Sequence, residues 1–266
     1  MPTPICPSVA SNPDPTGLSR GRMRVTLISG EMMGGDSLID FDPKRFRFNR
    51  KGFVVYILLK GPFFQEMKID LPKLLKTVGS YRKRKAHLDP KRTALLIIDL
   101  QNFFGEIVKP VLGNILEVIQ TCRQYPVPII FTQHGHTEPD SNGGMLGKWW
   151  GQLIVLGTRA WEFIPEIRIE PDDIVLPKKR YSAFFETDLD RMLRSRGIRD
   201  LVISGVMTNL CCETTARDAF MRDYRVFFLI DGTATGKDDI HLATLKNLGF
   251  GFAYLLTCDE VIQMLK

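Results

Sequence analysis

Residues 201–219 read LVISGVMTNLCCETTARDA, and this stretch decides the fold. Leu201, Val202 and Ile203 form an apolar run of the kind that fits a strand buried on both faces. Ser204-Gly205 breaks the run, and Thr208 or Asn209 then stands where a residue caps a helix. A cysteine falls in the first turn of that helix, with Glu213, Thr214 and Thr215 behind it. Strand, tight turn and helix N-terminus make a corner that favours anions, because the first helical N–H groups have no partner inside the helix. A thiol placed there has its thiolate stabilised and is the natural nucleophile. Free cysteines are more often small, inert core residues. That bland reading is kept for Cys212, while the strand-to-helix context selects Cys211 as the reactive one.

Working outward, Thr93 opens TALLIIDLQNFF, an apolar strand ending in Asp99. Residues 107–125 carry Val111, Ile115, Val118 and Ile119 at helical spacing. Strands are expected at 127–132 (VPIIFT), 173–176, 225–230 (RVFFLI) and 252–256, and helices at 189–196, 211–222 and 241–248. Strands alternating with helices imply a parallel sheet covered on both faces. Right-handed crossovers make it a doubly wound, three-layer α/β/α sandwich with a mainly parallel sheet. Ligands bind such sheets beyond the carboxyl ends of the strands. Asp99 and the Gly205–Cys211 turn lie at those ends, and Lys178 follows the strand 173–176. Alone, Asp99 reads as a turn former and Lys178-Lys179-Arg180 as a solvated loop. Together, an acid, a cation and a thiol at one sheet edge read as a reactive site.

The rest of the chain adds limits. The 266 residues carry 36 Lys+Arg and 30 Asp+Glu. Residues 1–90 hold 16 and 8 of these, and residues 91–266 hold 20 and 22, so the positive charge belongs to the first third. The later part gives no reason to expect nucleic acid. Residues 1–24 are rich in Pro, Ser, Gly and Arg and read as unstructured. The apolar run 53–64 contains Lys60, ends at Gly61-Pro62 and is too short to span a bilayer. No secretory pattern stands at the N-terminus. Residues 1–66 are therefore expected to be a loosely attached extension, and residues 67–266 the working domain, with its core at 91–266. Residues 71–78 suggest a short helix, and 81–85 (YRKRK) a solvated basic link. Five cysteines without a C-x-x-C pair fit free thiols in a reducing cytoplasm.

Three motifs occur in order: IIDLQNFF with Asp99, VLPKKRYSAFFETDL with Lys178, and GVMTNLCCETTARDAF with Cys211. On these the chain resembles the isochorismatase-like cysteine hydrolases, which include nicotinamidases, ureidoacrylate amidohydrolase and N-carbamoylsarcosine amidase. GVMTNLCCETTA and GGMLGKWWG look most like the plant-type nicotinamidases, while LPKKRYSAFF resembles the ureidoacrylate enzymes. The resemblance covers residues 91–266. It implies that Asp99 takes the Cys211 proton, Lys178 stabilises the pair, and the thiolate attacks a small carboxamide or carbamoyl compound with release of ammonia. It also implies an oxyanion hole from the backbone N–H groups of Met207 and Cys211, with a cis peptide just before Met207.

The expected substrate pocket adds Gln101, His134, Trp149, Trp150 and Tyr181. GGMLGKWWG, residues 143–151, reads as a glycine-flanked loop that closes it, its tryptophans stacking on a flat substrate. His134 and His136 stand where nicotinamidases carry an Asp-x-His metal pair. No third ligand is visible, so neither metal nor cofactor is expected. The expected partners are a small amide and further copies of the chain, as a dimer or tetramer, with no membrane. Two other readings share the fold: an isochorismatase-type vinyl ether hydrolase that does not use the cysteine, and a non-catalytic binding protein.

Overall fold

A computed structural model describes residues 67, 69–85, 87–137 and 143–266, together with the backbone of four short strands nearer the N-terminus. The chain divides into two units, residues 1–61 and 62–266. In the first, β1 (Gly21–Val25) pairs antiparallel with β4 (Ser37–Phe41), and β2 (Ile28–Ser29) with β3 (Met32–Met33). Residues 21–24, read from sequence as unstructured, thus form a strand. The apolar run 53–64 lies outside the described residues.

The second unit is built on six parallel strands: β5 (Thr93–Ile98), β6 (Ile129–His134), β7 (Ile174–Lys178), β8 (Asp200–Val206), β9 (Arg225–Ala234) and β10 (Tyr254–Leu256). Their order is β10-β9-β8-β5-β6-β7, with every neighbouring pair parallel. From β5 the chain winds outward through β6 and β7, then returns to β8 and winds the other way. The order therefore reverses between β5 and β8, where a crevice opens at the carboxyl edge of a doubly wound sheet.

Buried side chains alternate between two cores. Leu95 and Ile97 of β5 face one core, shared with Ile115, Val118, Val261 and Leu265. Ala94, Leu96 and Ile98 face the other, shared with Leu189, Leu193, Ala216, Leu245 and Leu248. All six residues of β5 are buried, as a central strand with both faces covered requires. This is the three-layer α/β/α sandwich expected from sequence.

Several boundaries move. The helix expected at 107–125 is segmented into Gly105–Val108, a 3₁₀ turn at Lys109–Val111 and Leu112–Cys122. Pro110 lies in the 3₁₀ turn, where its missing N–H and its ring oppose a continuous α-helix. The helix at Leu71–Val78 forms as read, started by Asp70, which accepts from the Lys73 N–H. The basic run 81–85 is not a free link. Arg82 pairs with Glu260 and donates to the Leu255 carbonyl, and Arg84 donates to those of Gly249 and Phe250. Residues 143–151 are not a loop either. Gly144–Trp150 is a helix, ended by Gly151 at φ 66°.

Candidate active site

The site forms at the crevice where the strand order reverses. β5 delivers Asp99 one residue past its end, in a left-handed backbone conformation (φ 52°). For a residue with a side chain that conformation costs on the order of 1 kcal/mol, and such outliers gather at functional sites. β8 approaches β5 closely at the same level. Gly205 pairs with Ile98 and has φ 116°, and a Cβ there would stand 2.2 Å from the Ile98 carbonyl oxygen. Only glycine fits. The Val206–Met207 peptide is cis, as the family resemblance implied.

After Met207 the chain makes a π-helical turn, Thr208–Cys212, and continues as the helix Glu213–Met221. Such turns recur at functional sites. The sequence reading expected Thr208 or Asn209 to cap this helix, and neither does. The Thr208 hydroxyl bonds His241 Nδ1 at 2.9 Å, and Asn209 Oδ1 accepts from Thr235 at 2.6 Å. Both side chains are drawn to the neighbouring elements instead.

Lys178 is the last residue of β7, not a loop residue after it, and is buried. Its ammonium meets Asp99 Oδ2 at 2.7 Å, the Arg180 carbonyl at 3.0 Å and Cys211 Sγ at 3.4 Å. An ammonium has three hydrogens, and these are three partners. Asp99 Oδ1 accepts from the Thr132 hydroxyl at 2.6 Å, and the same hydroxyl accepts the Asp99 N–H at 3.1 Å. Thr132 was missed from sequence. Its signal was its place near the end of the second strand, beside the strand that carries Asp99.

Burial pushes the Cys211 thiol up to about 12; Lys178 opposes the shift and Asp99 adds to it. Burial therefore works against the thiolate stabilisation expected at a helix N-terminus and favours a thiol that hands its proton to the neighbouring carboxylate, the transfer the family resemblance implied. Burial also works against the charge of Lys178, but Asp99 and Cys211 outweigh it and the ammonium is held above its ordinary value. Cys212 is fully buried, as read.

The pocket residues separate into two groups. His134 ends β6 beside Lys178, its register partner on β7. Burial, and then Lys178, push its imidazole down to about 3, so it is neutral at working pH. Its Nδ1 is buried without a hydrogen-bond partner among the described residues. Its ring meets that of His136 edge to face at 5.1 Å. Tyr181, three residues past Lys178, takes the Trp150 indole N–H on its hydroxyl at 2.7 Å.

Gln101 and Trp149 do not fit the role expected of them. Gln101 donates to the carbonyls of His134 (2.9 Å) and Trp161 (2.7 Å) and accepts the His134 N–H (2.8 Å). Every polar atom of its amide is committed, so it braces β6 instead of meeting a ligand. Trp149 is 75% exposed on the helix that replaces the expected loop. Among the described residues, no group of three or more His, Cys, Asp or Glu side chains is arranged to hold a metal ion, and no helix is long and apolar enough to cross a membrane.

Fold and site together define a class: a doubly wound α/β protein with an acid, a cation and a thiol buried in one cluster at the switch point. The isochorismatase domain family matches residues 93–260. The chain is 48% identical over 189 residues to Nicotinamidase 3 of Arabidopsis thaliana, covering 70% of this chain and 94% of that one. It is 32% identical over 210 residues to the ureidoacrylate amidohydrolase RutB of Pseudomonas savastanoi, covering 67% and 86%. A crystal structure of a cysteine hydrolase from Pseudomonas syringae superposes with a TM-score of 0.66 at 27% identity, covering 68% of this chain and 95% of that one. The chain belongs to the isochorismatase family.

Proposed function

We propose that the protein is a cysteine amidohydrolase that cleaves a small carboxamide or carbamoyl compound through a thioester and releases ammonia. The observation that carries this is the buried contact of Lys178 with Asp99 at 2.7 Å and with Cys211 at 3.4 Å. The names of the related nicotinamidase and ureidoacrylate amidohydrolase support the amide as the bond cleaved.

The proposed steps follow from the proton's position. Asp99 takes the thiol proton as Sγ attacks the carbonyl carbon, so no free thiolate accumulates in the apolar surroundings. Lys178 stays charged and stabilises the sulfur and carboxylate as charge moves between them. The tetrahedral oxyanion rests on the N–H groups of Met207 and Cys211. Collapse breaks the C–N bond, and Asp99 returns its proton to the leaving ammonia. Asp99 then deprotonates a water that attacks the thioester, and the thiol leaves with that proton while the acid is released. Lys178 is buried and already meets Asp99, the Arg180 carbonyl and Cys211, which supports membership of the reacting cluster over substrate anchoring. The neutral imidazole of His134 and the Tyr181–Trp150 pair form the proposed walls of the pocket, suited to a small planar amide.

The test is ammonia release from nicotinamide, ureidoacrylate and maleamate by the wild type and Cys211→Ser. Thiol-dependent turnover of one of these, abolished in the variant, is expected. Full activity in Cys211→Ser, or turnover of a vinyl ether alone, refutes the proposal.

A further inference from the structure

Three side chains outside the reacting cluster grip the turn that carries Cys211 and the helix residue that follows it. Thr208, three residues before the cysteine, bonds His241 at 2.9 Å. The other ring nitrogen of His241, Nε2, meets the Ile230 carbonyl at 3.1 Å. A carbonyl only accepts, so Nε2 carries the proton and Nδ1 accepts from the Thr208 hydroxyl. Asn209 accepts the hydroxyl of Thr235 at 2.6 Å. On the far side of the cysteine, Glu213 accepts the Thr244 hydroxyl at 2.8 Å and is paired with Arg217 at 2.7 Å. Thr208, Thr235, His241 and Thr244 are all buried. The three anchors come from one segment, residues 235–244, which joins the end of β9 to the first half of the helix Asp238–Gly251.

We propose that Thr235, His241 and Thr244 are positioning residues that hold the Thr208–Cys212 turn so that Sγ stays in reach of Lys178 and Asp99. A π-helical turn replaces the i→i−4 ladder of an α-helix by a few wider i→i−5 bonds, here Cys212 N–H to the Met207 carbonyl at 3.2 Å, so side-chain anchors from neighbouring elements add to what fixes it. The tolerance is small: a displacement of about 1 Å at a reacting group can cost about 100-fold in rate. Burial pushes His241 down to about 4, so the ring is neutral across the working range and keeps its acceptor nitrogen for Thr208. The proposal rests on Cys211 being the nucleophile.

The experiment uses the full chain with nicotinamide as probe and compares Thr208→Val, Thr208→Ser and Thr235→Val. Valine keeps the shape and removes the hydroxyl, while serine keeps the hydroxyl. Thermal melting and near-ultraviolet circular dichroism establish that each variant is folded. Thr208→Val should lower kcat about 10-fold or more with KM within about 3-fold of wild type, and Thr208→Ser should restore most of the loss. Thr235→Val should give a smaller loss of the same kind. The rate at which iodoacetamide labels Cys211, read by peptide mapping, makes the same comparison if nicotinamide is not turned over: Thr208→Val should change it and Thr208→Ser should not. Wild-type kcat and labelling in folded Thr208→Val overturn the proposal, as does a serine variant as impaired as the valine one. If Thr208→Val does not fold, unchanged kcat and labelling in Thr235→Val overturn it. Cys211→Ser separates the two readings: activity retained there removes the nucleophile, whereas an inactive Cys211→Ser beside a fully active Thr208→Val removes only the grip on the turn.

Discussion

Lys178→Met and Asp99→Asn, singly and together, test whether the buried pair acts as one unit. The charges stand 2.7 Å apart with both side chains fully buried. At an effective dielectric of about 20 that separation corresponds to about 6 kcal/mol of attraction, which is largely offset by the cost of taking both ions out of water. Lys178→Met leaves the Asp99 carboxylate buried without its cation, held by the Thr132 hydroxyl beside the Cys211 thiol. Breaking a buried pair from one side costs roughly 3–5 kcal/mol, so the melting temperature should fall by roughly 6–20 °C. The double variant removes both charges and should be more stable than Lys178→Met alone. Activity should follow the same logic. Each single change should lower kcat/KM at least about 100-fold, or about 3 kcal/mol, because each interrupts one proton transfer. The double variant should be little worse than either, since a step already lost cannot be lost again. The assay is kcat/KM for all four proteins on the best amide found, alongside urea denaturation. Fully multiplicative losses would show independent roles for the two residues and refute the shared step.

Further outcomes are expected. His241 and His134 are pushed by burial to about 4 and about 3, against 6.5 when unburied. The unfolded chain then binds protons that the folded one does not, so stability is fully present above pH 6.5 and falls as the pH drops toward 4 and then 3. Each group contributes a loss of about 2 kcal/mol by pH 5. His241→Asn should flatten the acid limb of urea midpoints measured from pH 7 to 5, and an unchanged slope would contradict the assignment. Gly205→Ala places a Cβ 2.2 Å from the Ile98 carbonyl oxygen at φ 116°. It should lose more than about 3 kcal/mol or fail to fold, and near-wild-type melting would refute the close approach. A chain of residues 67–266 should fold and keep its activity. If it is insoluble while the full chain is soluble, residues 1–66 are structural.

Much of the fold was legible because strand and helix periods are local. The apolar run at 93–98 and the alternation of strands with helices were enough to expect a covered parallel sheet. The parallel pairing then brings Asp99, Lys178 and Cys211 to one edge without further information. The reading failed where a local signal had a second meaning. Glycines at 143, 144, 147 and 151 suggested a loop, yet only the last ends the helix with a left-handed turn. Thr208 and Asn209 are good capping residues, and their side chains are taken by His241 and Thr235, which lie 33 and 26 positions away. Gln101 stands two residues past Asp99 and looked like a ligand for substrate. Nothing in its neighbourhood announced that His134 and Trp161 would use all of its amide.

The sequence by itself determined the order of the elements, the sheet edge at which Asp99, Lys178 and Cys211 gather, and the three side chains proposed to carry the reaction. These depend on residue type and spacing, which a linear chain displays. Only the tertiary structure decided that the Lys178 ammonium meets three partners at once, that Thr132 holds the carboxylate and that burial pushes the Cys211 thiol up. Each of these depends on which polar partners a group meets and how much water it loses, and both are set by elements far apart in the chain that meet only on folding.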